Sequence, residues 1–224
     1  MFYDIVRTIH IAAGAVALST LGVPLASRKG GKVHVRSGRV YAYAMGISVV
    51  TGAYVAGVKI PDPATRDGGI FLLFVAVLAA TTTVHGIRAL RHKSRTGPVM
   101  GLPEVALPAL LTVGGLAMAA WGLSRGVVLF AAFGALGAWI GGNALRWWSR
   151  APGEPKEWLR EHIGGMIGSG IGTVTAFLVV NAHRVDLPVP SWLVWLTPTF
   201  LGVPALMAWQ RSVRPKRVTG AAAS

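Results

Sequence analysis

Three histidines draw attention first. His34, His85 and His162 each stand near the end of a long apolar run, and Glu104 and Glu161 fall near the same level. Imidazole placed there can ligate a haem iron, the magnesium of a chlorophyll, or a zinc or copper ion. His85 with His162 is the pair best placed to bracket haem b or another tetrapyrrole, with His34 and His10 as further candidate ligands. His10 sits in the opposite half of its own run, about 15–20 Å from the others at the helical rise of 1.5 Å per residue. His92 lies in a basic loop, and His183 lies near the far end of the sixth run. A plainer role competes: ring nitrogens satisfy helix ends and loop carbonyls, which is easiest for His34 and His162 at their helix starts. No two of the candidate ligands share a helix at one-turn spacing, so depth is the only feature that groups them.

Other chemistries find less support. The chain has no cysteine, which excludes disulfides, thiol catalysis and Cys-ligated metal. It has no phosphate-binding Walker loop and no H-E-x-x-H. The apolar cores hold no lysine, which argues against a retinal protein. Glu104 is the carboxylate expected within a core, too little for the acid relay of an ion pump. No catalytic residue is assigned.

The elements that must position these residues follow from composition. The 224 residues carry a net charge of +14, yet 53% are hydrophobic and 13% charged. A soluble basic domain needs charge over most of its surface. Here the apolar residues gather into seven runs near 5–26, 39–59, 69–90, 99–123, 126–145, 160–182 and 191–210. Each is about the 20 residues needed to cross a bilayer. The expectation is an all-α seven-transmembrane helix bundle over 1–210, followed by a flexible basic tail over 211–224. The first run lacks the preceding positive charge of a signal peptide and reads as a retained anchor.

Charge placement supports the count. With seven spans, one side holds Arg28, Lys29, Lys32, Arg36 and Arg39, the cluster Arg88–Arg95, the cluster Arg146–Arg160, and the cluster Arg211–Arg217. The other side holds Arg7, Lys59, Arg66, Arg125 and Arg184, so the split is seventeen to five. The positive-inside rule then puts the N-terminus outside and the C-terminus in the cytoplasm of a bacterial inner membrane. It also explains the basic loops without nucleic acid as a partner. Arg36 and Arg39 are expected at lipid headgroups. Tyr41, Tyr43, Trp147, Trp148, Trp158 and Trp209 are expected in one aromatic belt, with Phe2, Tyr3, Trp121, Trp192 and Trp195 in the other. Trp139 is expected in mid-bundle.

Helices in lipid associate through small residues and close backbone approach. Gly164, Gly168 and Gly172 repeat every four residues, beside a second row of Gly165, Ser169 and Thr173. Gly137 with Gly141, Ala138 with Gly142, Gly52 with Ala56, and Ala53 with Gly57 repeat the spacing. These faces serve either packing within the bundle or docking of a partner. Pro108, Pro198 and Pro204 should bend their helices.

The segment H-V-R-S-G-R-V-Y, His34 to Tyr41, resembles a pattern found in an uncharacterised family of bacterial multi-pass membrane proteins, the domain of unknown function 2306. His10 and H-I-G-G-M-I-G-S…T-A-F-L-V-V-N, His162 to Asn181, add to it, so the resemblance runs from the first span to the sixth. It implies that His34, Gly38, Arg39, Tyr41 and His162 matter together, and supplies no reaction or cofactor. Two functional readings remain open. One is a non-enzymatic accessory or structural subunit of a larger membrane complex, of electron-transport or photosynthetic type, with membrane lipids and partner subunits around it. The other is a haem- or metal-binding membrane protein, redox active or not.

Overall fold

The computed structural model describes residues 1–184 and 188–213, with the side chains of His183 and Arg184 also outside the description. Among the described residues the regular structure is helical throughout: α1 (Phe2–Ala26), α2 (Lys32–Gly57), α3 (Arg66–Arg91), α4 (Leu102–Arg125), α5 (Val128–Trp148), α6 (Glu157–Arg184) and α7 (Ser191–Ser212). All seven are long and apolar enough to cross a membrane. Arg214, Lys216 and Arg217 of the expected basic tail lie outside the described residues.

The helices begin and end differently from the apolar runs in an instructive way. α2 starts at Lys32 rather than near residue 39, and α6 starts at Glu157 rather than near 160. Charge ends an apolar run but not a helix, because the backbone goes on satisfying its own hydrogen bonds beyond the hydrocarbon layer. His34, Arg36 and Arg39 are therefore helical residues, not loop residues. α4 starts at Leu102, after a segment in which Val99 N–H donates to Trp148 O at 2.9 Å.

α3 lies at the centre and packs against α2, α4, α5 and α6, while α1 pairs with α2 and α7 with α6. The closest approach joins α4 to α5. A Cβ added to Gly122 would lie 2.3 Å from Ala131 N, and one on Gly134 would lie 2.3 Å from Ala119 N. No side chain fits there, so the two backbones touch. The connection is equally tight. Gly126 adopts φ +67°, Val127 N–H donates to Gly122 O (2.8 Å) and Gly126 N–H to Leu123 O (3.3 Å). This pair of bonds is a Schellman turn, which needs a left-handed residue at Gly126.

Small residues divide between inside and outside. Gly137 faces Phe74 and Leu111, and Gly141 faces Thr112 and Pro108, so both pack within the bundle. In α6 the second row does the closest packing: Gly165 meets the Gly86 backbone, while Ser169 and Thr173 are buried. Of the first row, Gly164 meets Gln210, Gly168 lies at ordinary contact distance from Thr82, and Gly172 meets nothing.

The aromatic core at one end joins Phe71, Phe74, Leu111, Met118, Phe133 and Leu196, with Phe71 stacked on Phe130 at 5.1 Å. Between α2, α3 and α6 the filling is polar. Tyr41 OH bonds Ser169 Oγ at 2.8 Å and Thr173 Oγ1 at 3.1 Å, and Ser169 Oγ bonds Thr83 Oγ1 at 2.7 Å. Hydroxyls pair here because an unpaired one in an apolar interior costs free energy. Tyr41, expected in the aromatic belt, is instead 1% exposed. Trp147 and Trp148, also expected there, are buried. Tyr43 and Trp139 project outward, the latter against its expected place in the interior.

Candidate functional site

The ends of α3 and α5 and the starts of α4 and α6 meet at the bundle end that bears the basic connections, and most of the titratable side chains collect there. His85 is at the middle. It faces inward from the last turns of α3 because Thr81, Thr82, Gly86 and Ala89 line the buried side of that helix. Trp148 Nε1–H donates to His85 Nδ1 at 3.1 Å, and His85 Nε2 lies 2.9 Å from Glu161 Oε2. An indole N–H can only donate, so Nδ1 must accept. In the neutral ring the proton then sits on Nε2 and is donated to the carboxylate. Both ring nitrogens are engaged, and neither offers a lone pair to a metal. The rings of Trp147 and Trp148 meet the imidazole edge-on at 5.4 and 5.6 Å.

One turn further along α3, Arg88 Nε donates to Glu104 Oε1. The Glu104 side chain has no exposed surface, whereas Arg88 is about a quarter exposed. Glu104 sits in the first turn of α4, where the helix dipole favours an anion. Its Oε2 lacks a hydrogen-bond partner and lies 2.6 Å from where a Gly101 Cβ would be, so a side chain at 101 would push that oxygen aside. Arg88 also donates to His92 Nε2 at 3.3 Å.

Arg95, from the connection after α3, closes this end. Its guanidinium lies over the Trp147 ring at 4.1 Å and donates to Trp147 O (2.9 Å) and Arg150 O (2.6 Å). Burial pulls its pKa below the ordinary arginine range, against the opposing pull of Glu157. Arg150 shifts the other way, chiefly through its hydrogen bond to Glu157.

His162 and His34 form a separate pair. His162 Nδ1–H donates to Gly86 O at 2.9 Å, and His34 Nδ1–H donates to Pro24 O at 3.0 Å. A carbonyl only accepts, so each neutral ring keeps its lone pair on Nε2. The ring centroids are 6.5 Å apart. His10 is remote from both: its Nδ1–H donates to Ser48 O at 3.0 Å between α1 and α2, against Gly52. The four candidate histidines thus separate into one engaged ring, one facing pair and one interhelical tie. Among the described residues no three His, Cys, Asp or Glu side chains converge as metal ligands.

Arg36, Arg39 and Tyr43 are exposed on α2. Sequence reasoning missed Trp148, Arg88 and Arg95. Arg88, three residues after His85 and so on the same helix face, could have been found by spacing. The tryptophan pair before Arg150 signals a membrane edge by composition and gives no hint of an inward turn.

The fold and these contacts define an apolar seven-helix bundle of the membrane-spanning kind, with a charged, tryptophan-lined cap at one end. The chain matches no protein-family model, no curated protein and no solved structure. Function must therefore be read from its own residues.

Proposed function

We propose that this protein is a non-enzymatic accessory subunit that docks onto a larger membrane complex, with its basic connections in the cytoplasm and its N-terminus outside a bacterial inner membrane. One observation carries the docking: Thr8, Ala12, Ala15, Ser19, Gly22 and Ala26 form a continuous small-residue stripe on α1, and every one of them is exposed. Their spacing alternates four and three, the repeat that keeps one helix face against a partner helix crossing at about 20°. The hydroxyls of Thr8 and Ser19 are satisfied within α1, at Asp4 O and Ala15 O, so the stripe brings no unpaired polar group to an interface. The opposite side of α1, at Ala13 and Ala17, is the one buried in the bundle. The orientation is supported by the charge asymmetry of the connections. Purification of the native membrane under gentle detergent tests the reading. Partner subunits are expected to co-purify and to be lost on Ala15→Leu or Ser19→Leu. A chain that runs alone before any substitution overturns it.

A second reading, a bound metal or haem, is favoured by one observation, the His34–His162 pair. Metal-ligating histidines hold their second nitrogen on a carbonyl or carboxylate, as both rings do here, and this leaves the two Nε2 lone pairs free. An absorbance spectrum and elemental analysis of the purified protein decide it. A Soret band or stoichiometric metal lost on His162→Gln is the expected result, and the absence of both removes the reading.

A further inference from the structure

A cavity of about 250 Å³ opens beside the charged cap, lined by Asn143, Arg146, Trp147, Arg150 and Glu161. It lies between the last turns of α5 and the first turns of α6, at the level where a membrane-spanning helix meets lipid headgroups. Its walls carry both signs of charge. Arg146 is exposed, and its side chain makes no hydrogen bond or ion pair with the described residues, its carbonyl alone accepting from Ser149 Oγ. Arg150 leans on Glu157 yet remains 41% exposed. Glu161 is 30% exposed and spends one oxygen on His85.

The fixed tautomer of His85 matters here. Because Trp148 occupies Nδ1, His85 meets Glu161 through Nε2 alone, so one carboxylate oxygen is spent on it while the carboxylate still lines the cavity. The cavity therefore presents a free guanidinium, a half-engaged one, an indole wall and an anionic carboxylate. A simple anion would be repelled by Glu161, and a simple cation by the arginines. A group carrying a phosphate and an ammonium a few atoms apart satisfies both.

We infer that this cavity binds the headgroup of a zwitterionic aminophospholipid, with the phosphodiester on Arg146 and Arg150 and the ammonium on Glu161 beside the Trp147 ring. Arginine forks match phosphate oxygens bidentately, and basic pockets between spanning helices are suited to headgroup capture. The site is independent of the α1 stripe and holds whether or not a partner subunit docks there.

The test uses the full chain in nanodiscs of equal phosphatidylethanolamine and phosphatidylglycerol with matched acyl chains, followed by native mass spectrometry of retained lipid. The wild-type protein should retain phosphatidylethanolamine over phosphatidylglycerol by about fivefold, the scale of one headgroup charge contact. Arg146→Ala, at an exposed position that the fold tolerates, should lower retention of phosphatidylethanolamine by about the same factor. Glu161→Gln keeps an acceptor for His85, so it should keep total lipid while bringing the ratio to about one. Equal retention of both lipids by the wild type overturns the zwitterion assignment. Unchanged retention by Arg146→Ala moves the site out of this cavity. Displacement by soluble glycerophosphoethanolamine at equal concentration overturns the membrane lipid as the ligand's source.

Discussion

The α4–α5 seam and the charged cap are held by opposite means. Along the seam, Gly115, Gly122 and Gly134 remove side chains so that two backbones meet, and nothing there titrates or hydrogen-bonds across. At the cap, beyond the Gly86–Gly165 approach of α3 to α6, large side chains do the joining: His85, Trp148 and Glu161 link α3, α5 and α6 through named hydrogen bonds. Contact in lipid is driven by fit, not by the exclusion of water. The seam therefore tolerates no added atom, whereas the cap tolerates isosteric exchange but not the loss of one member of a pair.

Substitutions can break or sharpen that contrast. The largest effect is expected for Gly134→Val, whose Cβ would lie 2.3 Å from Ala119 N. Overpacking against backbone should cost about 3 kcal/mol or more, seen as loss of the thermal unfolding transition in detergent. Next comes Arg88→Met, which strands the buried Glu104 carboxylate. Stranding half of a buried ion pair costs about 3–5 kcal/mol, and the partial exposure of Arg88 lowers the expectation to about 2–3 kcal/mol. Glu104→Gln leaves no buried carboxylate charge and should be milder than Arg88→Met on the same transition.

Smaller effects probe the polar interior. Tyr41→Phe removes the hydroxyl shared by Ser169 and Thr173 and should lower stability by about 1 kcal/mol, measured on the same transition. Trp148→Phe keeps most of the ring packing and frees His85 Nδ1. The nitrogen NMR signals of that imidazole should then show exchange between tautomers, where the wild type shows the Nε2–H form alone. The smallest effect is expected for Gly172→Ala, where a Cβ meets nothing. A change within about 0.5 kcal/mol separates this outward position from Gly165, whose Cβ would lie 2.6 Å from Gly86.

Sequence and structure agree most where the physics is one-dimensional. A bilayer sets the length of each element, so the seven runs could be counted from apolar stretches, and each overlaps one helix. Depth was legible for the same reason: His34, His85 and His162 do lie at one end of the bundle. Rotation about each helix axis was not. Helices apolar nearly all round show no strong stripe to tell inside from outside. That is why Tyr41, Trp147 and Trp148 read as lipid-facing, though each turns inward, and why Trp139 read as interior though it faces out. It is also why two glycine rows of α6, one residue apart, could not be ranked until Gly165 met Gly86.

The turn at Gly126 bears on how the chain is made. Only Gly126 and Val127 separate α4 from α5, too short a tether for one helix to cross a membrane and leave the other waiting at the surface. The two are expected to insert as one hairpin, with the Gly126 corner leading. Residues around Gly122 and Ala131 would then find each other before α6 and α7 have left the ribosome. A substitution at that corner would show itself as a defect in biogenesis, with the chain degraded during synthesis before the finished bundle could reveal any weakness.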